Sequence, residues 1–399
     1  MDTVKLRSQA GVRNDISLER FDRDAAGRST GFTDLSASEN MDLDETGKLM
    51  MRLGTTKLNT GVAHSLFSDN DKSYVVMDGV INHIAPSLVL TPICSVFGRV
   101  SYAAIRDATY WSDEYVSGML LGAQNYPFGI SVPPTPSAVA VSGDLLAGTY
   151  LFSMTYVRST GEESGAPAYG SITVATNGGI SFTLSVSADP LVTSKRLYVS
   201  ARNGELGYLI GVIPNLITTT TVTALGTPGM ALRTQFMGPP PAGVSVSEFF
   251  GRALVASENY LWYSQPYEYG LFNLLTGYVG FNTPVRTVAR VADGVFIGTT
   301  VETFWLGGTD PTQWVSASKA SYGTVLGTEV RLINYLAGRE GAPGNIVGWM
   351  SQSGFCLGYD GGEMRNVTGG RHIPPAAREG ASLLKIRGGT PQIVTTLFN

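Results

Sequence analysis

The sequence predicts an all-β protein, and three observations carry that prediction. Sustained apolar patterns at i, i+3 and i+4 are scarce, whereas short alternating or β-branched runs recur along the chain. Those runs are bounded by Gly, Asn and Asp, and glycine alone supplies 48 of the 399 residues. Asp-Gly pairs separate neighbouring runs, and both positions of such a pair tolerate the positive φ that a tight hairpin requires.

The chain opens differently from the way it continues. Residues 1–50 hold ten acidic and seven basic residues and show little hydrophobic periodicity. Such a segment builds little core of its own. An extended N-terminal arm is expected there, either laid over the rest of the protein or a neighbouring subunit, or hanging free. Asp2, Lys5, Arg7, Arg13, Asp15, Glu19 and Arg20 interleave at its start, which leaves no apolar stretch for a secretory signal. No uninterrupted apolar run reaches the ~20 residues of a membrane-spanning helix.

The next elements read as hairpins. Residues 73–77 and 80–84 flank Asp78-Gly79; residues 288–292 and 295–299 flank Asp293-Gly294; residues 346–350 and 355–359 flank a Ser-Gln-Ser-Gly turn. An aromatic repeat accompanies them. Tyr110-Trp111-Ser112, Tyr115 and Gly118 align without gaps on Trp262-Tyr263-Ser264, Tyr267 and Gly270. Four-strand units with recurring Gly and aromatic positions are the sequence sign of a β-propeller. A propeller is therefore expected over 51–131 and 244–399, with a sandwich or barrel as the competing architectures.

Between the two aromatic copies, Pro133-Pro134-Thr135-Pro136 and Pro239-Pro240-Pro241 bracket a segment of different character. Proline clusters make stiff connectors. Strand-length runs at 148–157, 180–186, 195–201 and 208–213 lie between them, which fits a small antiparallel sandwich. The turn at 158–165 resembles a fibronectin III hairpin tip. The expected architecture is a β-propeller with an inserted fibronectin III-like β-sandwich, divided as arm 1–50, first propeller part 51–131, inserted sandwich 132–243 and remaining propeller 244–399.

Composition narrows the function. Charged residues make up 15% of the chain, against a usual share of roughly 25%, so much of the surface is expected to be covered by partners. A net charge of -4 without a Lys/Arg block lacks the electrostatic footprint of a protein that grips nucleic acid. Cys94 and Cys356 lie far apart in apolar stretches and read as buried free thiols from a reducing compartment. His64, His83 and His372 show no metal-ligand spacing, and neither cysteine has a nearby partner, so no metal or cofactor site is expected.

Catalytic signatures are equally sparse. No nucleophile elbow, phosphate-binding loop or dinucleotide fingerprint occurs, and the stretch Gly338-Arg339-Glu340-Gly341-Ala342-Pro343-Gly344 reads as loop chemistry. Asp113-Glu114 and Glu162-Glu163 are candidate carboxylate pairs for sugar chemistry. Adjacent strand residues point to opposite faces, so neither pair converges unless it lies in a loop. Residues 351–355 lack the Asp and Trp of the sialidase-type turn they superficially resemble. Trp111, Trp262, Tyr263, Tyr267 and Tyr269 can stack on sugars, anchor a protein interface or fill space between sheets.

Several stretches together resemble a known family. They are Gly11-Val12-Arg13-Asn14-Asp15, Glu39-Asn40-Met41-Asp42, Gly47-Lys48-Leu49, Arg52-Leu53-Gly54 and Gly61-Val62-Ala63-His64. Later ones are Gly251-Arg252-Ala253, Ser264-Gln265-Pro266 and Leu306-Gly307-Gly308-Thr309-Asp310-Pro311. The sequence resembles tail structural proteins of short-tailed double-stranded DNA bacteriophages, notably their nozzle or tail-hub proteins. The resemblance implies a non-enzymatic virion protein made in the host cytoplasm. It implies a homo-oligomeric ring, six-fold, continuing the DNA-ejection channel below the portal and adaptor (the head-tail connector), beside other tail proteins such as fibres. DNA would pass transiently and non-specifically through the lumen, which suits a wall poor in cations. The arm and the loop near Arg339 and Gly344 are the expected intersubunit contacts. The alternative is a carbohydrate-binding or carbohydrate-cleaving propeller for host receptor recognition, using Trp262, Tyr263 and Tyr267 with Asp113 and Glu114.

Overall fold

The structure is a computed structural model, which describes residues 9–12, 33–35, 41–43, 49–51, 57–69, 72–332, 346–368, 372–387 and 390–398. Most of the predicted arm and the 338–344 loop lie outside the described residues, and with them the intersubunit contacts expected there. Of the arm, Gln9–Val12 pairs in parallel with Thr33–Leu35, and Met41–Leu43 pairs antiparallel with Leu49–Met51. The protein is all-β: among the described residues the only helical turns are short 3-10 pieces at Pro311–Gln313 and Asp360–Gly362. The chain divides into two compact units, His64–Gly280 and a second made of Met1–Ala63 with Phe281–Asn399.

Three antiparallel sheets of the His64–Gly280 unit run as sequential meanders. The first orders Ala63–Asp69, Lys72–Met77, Val80–Ile84 and Leu90–Ser95. The second orders Ser101–Ile105, Ala108–Ser112, Ser117–Leu121 and Gln124–Tyr126. The third orders Ser245–Phe249, Arg252–Ser257, Tyr260–Gln265 and Glu268–Asn273; Met237–Gly238 adds to its last strand, and Tyr278–Gly280 pairs with Tyr260–Gln265. The Asp78-Gly79 hairpin forms as its sequence predicts, with Met77 opposite Val80 and φ of 52° and 78° at the two turn residues. The first strands of the second and third sheets lie side by side, where Ser101 Oγ accepts from Val246 N at 3.0 Å. Tyr110, Met119, Phe128, Val255, Tyr269 and Phe272 fill the core that these two sheets share.

The same unit holds two further sheets between the proline clusters. Ser137–Leu145, Gly178–Thr183 and Thr219–Val222 form one; Gly170–Val174, Gly148–Arg158, Val192–Ser200 and Gly207–Pro214 form the other. Tyr150, Phe152, Met154 and Tyr156 alternate along one strand and all turn inward onto Ile180, Phe182 and Leu197. The alternate positions Ser153, Thr155 and Val157 are buried too, so from Phe152 onward both faces of this strand are covered. The predicted strand at 180–186 ends early, at Thr183.

The second unit repeats the meander twice. Val285–Arg290, Gly294–Thr299, Thr303–Gly307 and Val315–Ala320 form one sheet; Val330–Leu332, Ile346–Ser351, Gly354–Gly358 and Met364–Asn366 form the next. Phe296, Trp305, Trp349 and Cys356 pack between them. Glu379–Arg387 and Thr390–Phe398 make a terminal hairpin. The Asp293-Gly294 pair is not a two-residue turn here. Gly294 joins the strand, Arg290 pairs with Val295, and the Asp293 carboxylate accepts instead from Gly361 N at 3.0 and 2.8 Å.

Candidate functional site

The two aromatic copies do not occupy equivalent places. Tyr110 to Gly118 spans the second and third strands of its meander, whereas Trp262 to Gly270 spans the third and fourth of its own. Successive turns of a meander fall at opposite ends, so Tyr115 and Tyr267 lie at opposite ends of the paired sheets. The guanidinium of Arg106, from the first turn of the second sheet, sits 5.9 Å from the Tyr267 ring and 5.2 Å from Tyr269, which fixes that end. What the copies share is local. Each serine sits at or next to the end of its strand, donating to the next carbonyl and accepting a backbone amide, Gly243 N on Ser112 at 2.8 Å and Ala253 N on Ser264 at 2.9 Å.

Most of the singled-out aromatics fill space. Trp111, Tyr263 and Tyr269 are buried, and Trp111 Nε1 donates to Asn125 Oδ1 at 2.9 Å. Trp262 is half-buried and joins Tyr278 at 4.9 Å and Tyr260 at 6.1 Å between ring centroids. Tyr267 is exposed, with its ring lying on Gly251, where a Cβ would approach it to 2.7 Å.

The first carboxylate pair splits. Glu114 is exposed, while Asp113 is buried and serves three backbone amides. Its Oδ1 accepts from Tyr115 N at 2.7 Å and Val116 N at 2.6 Å, and its Oδ2 accepts from Phe97 N at 2.8 Å. One carboxylate thereby ties its own turn to the segment following Leu90–Ser95. The consequence is an aromatic pair held outward: Phe97 is 74% exposed and Tyr115 65%, edge to face at 6.2 Å. Phe97 carried no motif; only the anchoring of its amide distinguishes it.

The second pair converges, because Glu162 and Glu163 lie in a loop after Gly148–Arg158. Both line a small cleft with Gly129, Ile130, Arg158, Glu268 and Gly270. Its interior of about 10 Å³ has room for a single water. Arg158 is its centre, with a side chain only 1% exposed. Its Nε and Nη2 donate to Asp189 Oδ2 at 3.0 and 2.9 Å, Nη2 also to Pro127 O at 2.8 Å, and Nη1 to Glu162 Oε2 at 3.2 Å. Glu163 Oε1 accepts from Thr155 Oγ1 at 2.5 Å and Tyr198 OH at 2.6 Å, while its Oε2 pairs with Arg196. Arg158, Asp189 and Glu268 are too far apart in sequence to form a readable motif.

Asp113, Glu162 and Glu163 are thus engaged in structure, so neither pair presents two free carboxylates to a ring between them. Among the described residues no group of His, Cys, Asp and Glu converges as a metal site. The two cysteines are free; Cys356 is buried as expected, but Cys94 is only half-buried. Burial and the Asp113 carboxylate push the Cys94 thiol up to about 11, and burial raises Cys356. Thiols held protonated in this way are poor nucleophiles near neutral pH.

No protein-family model and no curated protein matches the chain. Among solved structures it is similar to apo AztD from Citrobacter koseri, at 12% identity and a TM-score of 0.21, over 75% of this chain and 91% of that one. It is similar to puromycin hydrolase at 12% identity and a TM-score of 0.20, over 82% of this chain and 56% of that one. A third is PorZ, a surface component of the type-IX secretion system of Porphyromonas gingivalis, at 10% identity and a TM-score of 0.20, over 76% of this chain and 60% of that one. The chain therefore spans little more than half the length of the latter two. At these TM-scores the likenesses assign neither a particular fold nor an activity. No helix among the described residues is long and apolar enough to cross a membrane.

Proposed function

We propose that the chain is a non-enzymatic structural subunit of a bacteriophage virion. In this reading the four-stranded meanders are blades of a β-propeller, and 132–243 is a fibronectin III-like sandwich mounted on it. Copies assemble as a six-fold ring in a short tail, as nozzle or hub, and continue the DNA-ejection channel below the portal and adaptor. Repetition of one four-stranded unit supports the propeller. The sequence resemblance supports the tail. The observation that carries the subunit reading is the Phe97–Tyr115 pair. Two large aromatics held outward by a buried carboxylate are pre-organised as interface anchors, because the ordering of their backbone is already complete before a partner arrives.

Mass spectrometry of purified particles is expected to find the chain in the virion at a six-fold copy number. The double variant Phe97→Ala/Tyr115→Ala is expected to fold with unchanged thermal stability, since both rings are exposed, and to fail to enter particles. A virion lacking the chain, or a double variant that enters as efficiently as wild type, overturns the reading.

One observation favours the carbohydrate alternative. Tyr260, Trp262 and Tyr278 form a contiguous aromatic group, with Tyr260 and Tyr278 exposed. Such faces suit stacking on sugar rings. In that case glycan-array binding is present and disappears in Trp262→Ala; a blank array with the wild-type chain removes this reading.

A further inference from the structure

Both chain crossings into the two-sheet segment 137–222 are clamped rather than loosely tethered. On the way in, Phe128 belongs to the core of the second and third meanders, with its ring 4.8 Å from Tyr110 and 6.4 Å from Phe272. Ile130, two residues on, belongs to the core of the two-sheet segment. Between them Gly129 lies against Gly270 so closely that a Cβ on Gly270 would meet Phe128 O at 2.9 Å and Gly129 Cα at 2.8 Å. On the way out, Gln235 bridges to Ala166, and Met237 and Gly238 pair with Asn273 and Phe272. Arg158, from the segment's longest strand, binds Pro127 O and so fastens the incoming chain a second time.

One group in this joint is out of place. Glu268 opens the strand Glu268–Asn273, is half-buried, and makes no side-chain hydrogen bond among the described residues. It lines the cleft with Arg158, Glu162 and Glu163, and Arg196 reaches it electrostatically. Arg158 is already committed to Asp189, Glu162 and Pro127 O, and Arg196 to Glu163. Four carboxylates, Asp189, Glu162, Glu163 and Glu268, therefore share two guanidinium groups. The remaining titratable neighbours are Tyr198, bonded to Glu163, and Tyr110, within reach of Glu162 and Arg158.

We propose that Glu268 makes this joint pH-sensitive, so that protonating its carboxyl tightens the mount of segment 137–222 and ionising it loosens the mount. The sign follows from the environment. Burial, then the charges of Glu163 and Glu162, raise the pKa of Glu268 above the ordinary carboxylate value. A carboxyl with a raised folded-state pKa stabilises the fold fully below its unfolded value, and that contribution is lost as pH rises through the folded value. The joint is thus firmest in mild acid and weakest once Glu268 is ionised.

Hydrogen–deuterium exchange of the full chain between about pH 5 and about pH 8, corrected for intrinsic amide rates, tests this. Protection in 127–130, 158–165, 235–238 and 268–273 is expected to fall several-fold as pH rises, with up to about tenfold for each unit by which the pKa is displaced. Glu268→Gln keeps the shape and removes the charge, so it is expected to hold the acid-level protection throughout. Glu114→Gln, at an exposed site outside the joint, is expected to keep the wild-type profile. A flat wild-type profile, or a Glu268→Gln variant that retains the wild-type slope, overturns the proposal. If Glu268→Gln is poorly folded, a wild-type slope confined to these four segments supports it and a uniform slope across the chain overturns it.

Discussion

Arg158→Ala is expected to destabilise the protein by about 3–5 kcal/mol, the loss that follows when one partner of a buried ion pair is removed. The magnitude comes from what remains. Asp189 has a side chain only 6% exposed and keeps just the Leu191 amide, at 3.0 Å, as a donor; Pro127 O loses its donor altogether. Glu162, a quarter exposed, regains water and contributes less. Arg158→Lys does not rescue, because one ammonium cannot reproduce the fork that reaches Asp189, Glu162 and Pro127 O together. The double variant Arg158→Met/Asp189→Asn is expected to be more stable than Arg158→Ala, since it removes the orphaned charge as well as the cation. Urea denaturation of the set checks this, and losses within about 1 kcal/mol of wild type for Arg158→Ala would show that the guanidinium is not the tie described.

Asp113→Ala is expected to cost about 2–4 kcal/mol, because three backbone amides lose one shared acceptor and each unmet buried donor costs about 1–3 kcal/mol, less where water reaches it. Tyr115 and Phe97 stand in exposed turns, so water recovers part of the loss; Val116 N is the amide least served by it. Asp113→Asn keeps one accepting oxygen and is expected to lose about half as much. The variant pair also separates stability from assembly. With Asp113 gone, Phe97 and Tyr115 remain in the chain but lose their common anchor, so particle incorporation is expected to fall even at temperatures where the fold survives. Chemical denaturation beside an incorporation assay reads the two effects independently, and equal losses in both would mean that the aromatic pair has no role apart from the fold.

The local grammar of the chain was readable from its residues. The run at 148–157 predicts a strand and makes one, Gly148–Arg158, with Tyr150, Phe152, Met154 and Tyr156 packed on Phe182 and Leu197. Asp78-Gly79 predicts a two-residue turn and makes one. Asp293-Gly294 has the same letters, but its hairpin closes one residue earlier: Val291 N donates to Gly294 O at 3.0 Å, Ala292 and Asp293 make the turn, and the Asp293 carboxylate accepts from Gly361 N, 68 residues away. The aromatic repeat misleads for a related reason. A serine at or next to the end of a strand and a tyrosine in the following turn describe any hairpin edge, so the pattern says nothing about which hairpin of a meander it marks.

The candidate sites divide along the same line. Glu162 and Glu163 were visible as a pair, and their position in a loop allowed them to converge; that the cleft is already occupied by Arg158 and Arg196 was not visible. Asp113 looked like half of a catalytic pair and is a turn anchor, since its role depends on the amide of Phe97, 16 residues earlier.

By itself the sequence determined that the protein is all-β and where most of its strands fall, because those properties depend on residues within a few positions of one another. Tertiary structure alone decided which carboxylates are satisfied, which aromatics remain outside and how Phe128 and Ile130 come to lie in different cores. Those outcomes depend in large part on donors, acceptors and packing surfaces distant along the chain, as with Asp113 and Phe97, 16 residues apart, and Ser101 and Val246, 145 apart.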